Sequence, residues 1–152
     1  MRAFKSFDDV LSCLGQEVAK SEWVSMSQER IDRFAQATED HQWIHTDPVQ
    51  AAKGPFKTTI AHGFLSLSLI PKLFESSVSL EMCKMGINYG LNRVRFTDVV
   101  PVGSRIMASF LLSSAERLSE PDGLQSTWDV TLKREGSDKP VCVAQCVFRH
   151  YA

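Results

Sequence analysis

One stretch limits the fold more than any other: "HGFLSLSLIPKLF", from His62 to Phe74. Continued to about Ser77, it reads as a helix whose apolar residues (Phe64, Leu65, Leu67, Leu69, Ile70, Leu73, Phe74) point almost all the way round. A helix without a polar side belongs in the interior, surrounded by the rest of the molecule. Pro71 removes one hydrogen bond and frees the carbonyl of Leu67, so a bend is expected there. Nearly everything after this helix reads as β. "INYGLNRVRF", "SRIMASFLLSSAERL", "LQSTWDVTLKRE" and "PVCVAQCVFRHY" are separated by the turn signals "VVPVG", "SEPDG" and "EGSDK". Trp128, Val130 and Leu132 alternate with Thr127, Asp129 and Lys133, the pattern of a sheet with one buried face. Short turns imply antiparallel neighbours. The expected fold is therefore α+β, one domain over residues 1–152, with an antiparallel meander wrapped around a buried helix. A sheet of this size leaves edges and apolar surface, which predicts a homodimer.

The chain's 152 residues can bury a core without staples, and its 43% hydrophobic and 23% charged residues are ordinary for a globular protein. A net charge of -1 gives no reason to expect nucleic acid or an anionic membrane as a partner. "MRAFKSFDDVLSCLG" has acidic residues where a signal peptide needs an apolar run. The longest apolar stretch is too short and interrupted to insert in a bilayer. A soluble cytoplasmic protein is expected. Cys13, Cys83, Cys142 and Cys146 lack paired zinc spacing, and the last two share a strand face, as buried reduced thiols do.

Upstream, a short helix is expected from Phe7 to Leu14, ending at Gly15, followed by strand character in "QEVAKSEWVSM" with Val18, Trp23 and Val24 as apolar anchors. Ser25 or Ser27 can cap a helix running to about Thr38, with Ile31, Phe34, Ala35 and Thr38 on one face. Asp47 and Pro48 form the start of another helix, with Gly54 just past its end. Residues 39–47 are left as a loop, "EDHQWIHTD", carrying more polar side chains than a connection needs. Asp47 is accounted for as a cap. Asp40 and His45 have no such local explanation.

Three readings of these two residues are open. They are a solvated helix-end acid and a half-buried, satisfied histidine; or an acid–base pair holding a water; or, for His45 alone, part of a metal site with His41, Asp47 and His62. The second uses the titration of histidine near neutrality and the rise of a buried carboxylate's pKa. The third needs His41 and His45 on one helix, and the cap at Asp47 argues against that. "TIAHGFL" adds a helix beginning near His62 and Gly63, where unpaired backbone N–H groups can meet an oxyanion.

Taken together, "ATEDHQWIHTDPVQAA", "TIAHGFLSLSLIPKL" and "INYGLNRVRFTDVVPVGSRI" resemble the MaoC-like dehydratases. The likeness is to the (R)-specific enoyl-CoA hydratase group of the hot-dog fold and its nodulation-protein-N-like branch, from about Ser21 onward. The family signature Asp-x-Asn-Pro-aliphatic-His, with a small residue six positions later, is matched by Asp40, Ile44, His45 and Ala51. Gln42 and Trp43 stand where the family has asparagine and proline, a departure bearing on substrate shape and rate more than on reaction type. The resemblance implies a central helix over about 62–77 in a bent antiparallel sheet, working as a dimer. It implies reversible hydration of a trans-2-enoyl thioester to the (3R)-3-hydroxyacyl thioester, with no metal or redox cofactor and coenzyme A only as part of the substrate.

On this chain, Asp40 and His45 would activate the water, and the Gly63 amide would hold the thioester oxygen. Trp43 would wall the pocket, and His62, Ser68, Tyr89 and Gly90 would border it. Arg93, with Arg95 on the same strand face, would meet the phosphates of coenzyme A. Ser68 is equally readable as a small residue at a helix–sheet contact, and Arg93 as part of a solvated face. Two other functions fit the same fold, an acyl-CoA thioesterase and a non-catalytic acyl-thioester-binding protein.

Overall fold

The alternation in the second half of the sequence becomes a large antiparallel sheet, and the apolar segment before it becomes the filling. The computed structural model describes residues 1–152. The chain runs β1 (Arg2–Phe4), α1 (Phe7–Leu11), β2 (Glu17–Lys20), β3 (Val24–Ser25), α2 (Gln28–Thr38), α3 (Trp43–Thr46) and α4 (Pro48–Lys53). Then come α5 (Gly63–Ser68), α6 (Ile70–Glu75), β4 (Val78–Leu80), β5 (Met85–Phe96), β6 (Arg105–Ser119), β7 (Asp122–Arg134) and β8 (Pro140–Tyr151). The main sheet has the order β2-β6-β7-β8-β5, with β3 also paired to β6, while β1 and β4 form a small parallel pair. No helix is long and apolar enough to cross a membrane.

The inner face carries Phe110 and Leu112 of β6, Trp128 and Val130 of β7, and Ala144 and Cys146 of β8, in adjacent register and all buried. Phe74 of α6 meets this face edge-on, with ring centroids 5.2 Å from Phe110, 5.0 Å from Trp128 and 5.2 Å from Phe148. Trp128 satisfies its indole N–H on Ser126 Oγ at 2.9 Å, so even the polar atom at the centre of the core is paired.

The structure departs from the sequence reading at several places, and upstream the first helix stops at Leu11. The single bent helix is two short ones, α5 and α6, joined at Leu69, with Pro71 in the first turn of the second, where its missing N–H is least costly. Nor is that segment enclosed on every side, since Phe64 is 67% exposed. The meander is confined to β6, β7 and β8; β5 pairs with β8, placing 12 residues of largely exposed strand at the sheet edge. Residues 39–47 are not all loop, because Trp43–Thr46 form one helical turn. Trp23 is not a core anchor and lies 38% exposed, while Val18 is buried.

Candidate active site

Three local starts and stops deliver the polar residues to one place. Helix α2 is capped by Ser27, whose side chain accepts from the Arg30 N–H, and it ends at Glu39 in the left-handed region at φ 60°. That turn throws the chain away from the helix axis at Asp40. Downstream, Asp47 caps α4 by accepting the Gln50 N–H at 2.9 Å. Between them α3 carries His45, which is buried.

The His45 ring is held at one end. Its Nδ1 lies 2.7 Å from the Ile60 carbonyl oxygen. A carbonyl only accepts, so Nδ1 carries the hydrogen and Nε2 presents its lone pair. Burial lowers the pKa of His45 from its ordinary 6.5; the bond to Ile60 works the other way, the neighbouring His62 adds to the lowering, and Asp40 opposes it. At neutral pH the ring is a neutral base with a free nitrogen.

His62, the N-cap of α5, stacks on His45 with ring centroids 3.8 Å apart and planes 25° apart. Its Nε2 donates to the Asp40 carbonyl at 3.0 Å and stands 3.9 Å from Asp40 Oδ2, while its Nδ1 is buried without a partner. His62 is therefore sealed behind His45 and tied to the Asp40 backbone, not exposed on a substrate-facing wall. One polar side-chain atom from each of Asp40, His45 and His62 lies within 4.8 Å of the others. Asp40 is open to solvent, with 56% of its side chain exposed. His41 and Asp47 stay outside the cluster, which removes the metal set read from the sequence. The three residues that do converge are poorly disposed for an ion, because nearly parallel imidazoles direct their in-plane lone pairs side by side and not to one point.

Two cavities border α5. The one beside His45, about 290 Å³, is bordered by Gly63, Ser66, Phe96, Thr97 and Val100. Gly63 opens α5, where backbone N–H groups lack intrahelical acceptors. The Phe96 ring lies so close to it that a Cβ on Gly63 would come within 2.9 Å of the ring. The other cavity, about 350 Å³ and mostly apolar, is bordered by Leu67, Ser68, Ile70, Pro71, Gly90 and Phe148 among others.

The remaining sequence candidates scatter. Ser68 spends its hydroxyl on the Phe64 carbonyl at 2.7 Å. Trp43 packs on Gly54, where a Cβ would stand 2.8 Å from the indole, and so pins α3 to the end of α4. Tyr89 is 56% exposed beneath the Arg149 guanidinium, 3.5 Å from its ring centre. Arg93 is exposed on β5, and Arg95 bonds the carbonyl of its neighbour Val94. Sequence reasoning missed Phe96 and Ser66; the Ser66 hydroxyl is buried with no partner. Its position four residues after His62 was the available signal, overlooked in favour of Ser68.

The MaoC like domain model matches residues 9–131, most of the chain and all of this cluster. The chain belongs to the MaoC-like dehydratase family. It is 48% identical over 152 residues to 3-hydroxyacyl-thioester dehydratase Z of Mycobacterium tuberculosis (strain H37Rv), covering 100% of both chains. To nodulation protein N of Rhizobium leguminosarum bv. viciae it is 44% identical over 144 residues, 93% of this chain and 89% of that protein. Its fold matches the X-ray structure of the monoamine oxidase regulatory protein from Archaeoglobus fulgius with a TM-score of 0.78 at 23% identity, covering 99% and 96% of the two chains. The fold is the hot-dog of this family, and the activity is of the hydratase–dehydratase type.

Proposed function

We propose that this protein is an (R)-specific enoyl-CoA hydratase, adding water reversibly to a trans-2-enoyl-CoA to give the (3R)-3-hydroxyacyl-CoA. The observation that carries this reading is the setting of His45, a buried imidazole with Nδ1 committed to Ile60 and Nε2 free, beside the Asp40 carboxylate. The name of the 48%-identical relative, a 3-hydroxyacyl-thioester dehydratase, supports the same reaction in reverse.

In the proposed step a water sits between Asp40 and His45. Asp40, as carboxylate, accepts one of its hydrogens and orients it, and His45 Nε2 removes the other as the oxygen bonds to C3. The C2–C3 π electrons move toward the thioester, and the Gly63 N–H receives the resulting enolate oxygen. The imidazolium then returns its proton to C2 on the same face, and His45 is again neutral beside the Asp40 carboxylate. Each of these groups contributes on the order of 10²–10⁴ in rate. Hydration changes no oxidation count overall, so the step asks for no cofactor beyond the coenzyme A of the substrate.

The working unit is proposed to be a homodimer. Ile87, Tyr89 and Leu91 are exposed along edge strand β5, and Phe64 is exposed beside Phe96, ring centroids 5.7 Å apart. Long apolar edges of this kind pair with another chain. A second copy there would bring Tyr89, Gly90 and Arg93 toward acyl-CoA, and light scattering on the purified protein reads the mass directly. The chemistry is tested by hydrating a trans-2-enoyl-CoA in deuterated water. A 3R product with deuterium added at C2 on the same face as the oxygen is expected. Release of free thiol without a hydroxyacyl product would instead identify a thioesterase.

A further inference from the structure

We infer that Gln28, on the first turn of α2, is a positioning residue for His45, holding the one-turn helix α3 so that the imidazole keeps a single tautomer aimed into the site. The inference rests on the hydratase reading of His45 and starts from a difficulty. A four-residue helix cannot hold itself, because one turn fixes several dihedrals for few hydrogen bonds. Helix α3 also lacks a side-chain cap at its N-terminus. Its last carbonyls have no partners within the helix.

Gln28 supplies what α3 lacks. Its Nε2 donates to the His45 carbonyl at 2.8 Å and to Asp32 Oδ1 at 2.8 Å, and its Oε1 accepts from Thr59 Oγ1 at 2.5 Å. The amide can point only one way, since a carbonyl and a carboxylate both demand a donor. Thr59 is buried and its hydroxyl takes the remaining end. The next residue, Ile60, donates its N–H to the Ile44 carbonyl at 3.0 Å and accepts from the His45 ring at 2.7 Å. Residues 59 and 60 thus grip His45 twice, through the ring and, by way of Gln28, through its own carbonyl. All three side-chain polar contacts of Gln28 are used, and none faces a cavity.

The test compares wild type with Gln28→Met, which keeps the length and volume but loses both donors, and with Thr59→Val, which keeps both donors and removes only the hydroxyl that holds the amide oxygen. Long-range imidazole spectra, with His45 assigned by its loss in His45→Gln, report its tautomer whether or not the enzyme turns over. In wild type a single Nδ1–H form is expected. Gln28→Met should show mixed tautomers, with kcat down roughly 10- to 100-fold and KM changed by less than about threefold, as displacement of a reacting group predicts. Thr59→Val should move both readouts the same way by less, and it carries the test if Gln28→Met fails to fold. A folded variant with one unchanged tautomer and kcat within about twofold of wild type would overturn the inference. If wild type hydrates no enoyl thioester, the functional reading fails, and the spectra still decide whether Gln28 orders His45.

Discussion

Gly63→Ala separates the chemistry of the α5 N-terminus from its contribution to the fold. Gly63 has no left-handed backbone angle, so alanine is conformationally allowed there and gains roughly 0.4–1 kcal/mol through the unfolded state. Against that, the new methyl would lie 2.9–3.0 Å from three atoms of the Phe96 ring, well inside the roughly 3.5–4.0 Å of an ordinary carbon contact. Overpacking costs about 1–3 kcal/mol where neighbours cannot yield. Phe96 is 44% exposed and can turn outward, so the low end applies. The net loss should be no more than about 0.6 kcal/mol, or roughly 1–2 °C in Tm for a chain of this length. Activity should fall far more, about 10²–10³-fold in kcat, because the methyl and the displaced ring crowd the position where the thioester oxygen meets the Gly63 amide. Thermal melting and enoyl-CoA hydration are measured on Gly63→Ala and on Gly63→Ala with Phe96→Ala. The double variant should regain Tm but not rate. A single variant with full activity would refute the placement of the reacting carbonyl at Gly63.

Burial holds the pKa of both His45 and His150 below the ordinary 6.5. The unfolded chain therefore takes up these protons first, so their share of stability is full above pH 6.5 and is lost as pH falls from 6.5 toward the folded values, at up to about 1.4 kcal/mol per unit for each. Urea melts across that window should show the slope, and His150→Leu should flatten it. Trp128→Ala removes a fully buried indole from the centre of the Phe74 cluster and should cost about 3–5 kcal/mol in the same melts. Burial raises Cys142 to about 11 and Cys146, which also feels Cys142, to about 12; both should resist alkylation at pH 8 in the native state and react once unfolded.

Much of the fold could be read from local chemistry. The capped start of α2 at Ser27, the Asp47-Pro48 start of α4 and the alternation through Trp128, Val130 and Leu132 all depend on nearby residues. The pairing of β5 with β8 does not, because sheet order is decided by which strand reaches the open edge of the β6–β8 meander. The exposure of Phe64 escaped for a related reason, since periodicity counts apolar residues but not what covers them. At the site, Asp40 and His45 stood out because local structure left them unexplained. The stacking of His62 on His45 and the Gln28 bonds to His45 and Thr59 join residues 17 or more apart, at separations with no signature in spacing. Ser68 and Ser66 could not be told apart without knowing which hydroxyl its own helix would use.

The most direct measurement follows the loss of the enoyl-thioester absorbance with crotonyl-CoA and a longer trans-2-enoyl-CoA, for wild type, Asp40→Asn and His45→Gln. Wild type should hydrate at least one substrate, and both variants should lose about 10²–10⁴-fold in kcat while melting as cooperatively as wild type. Wild-type protein that binds acyl-CoA but hydrates neither, or a folded His45→Gln variant that retains full rate, would contradict the assignment of His45 as the base.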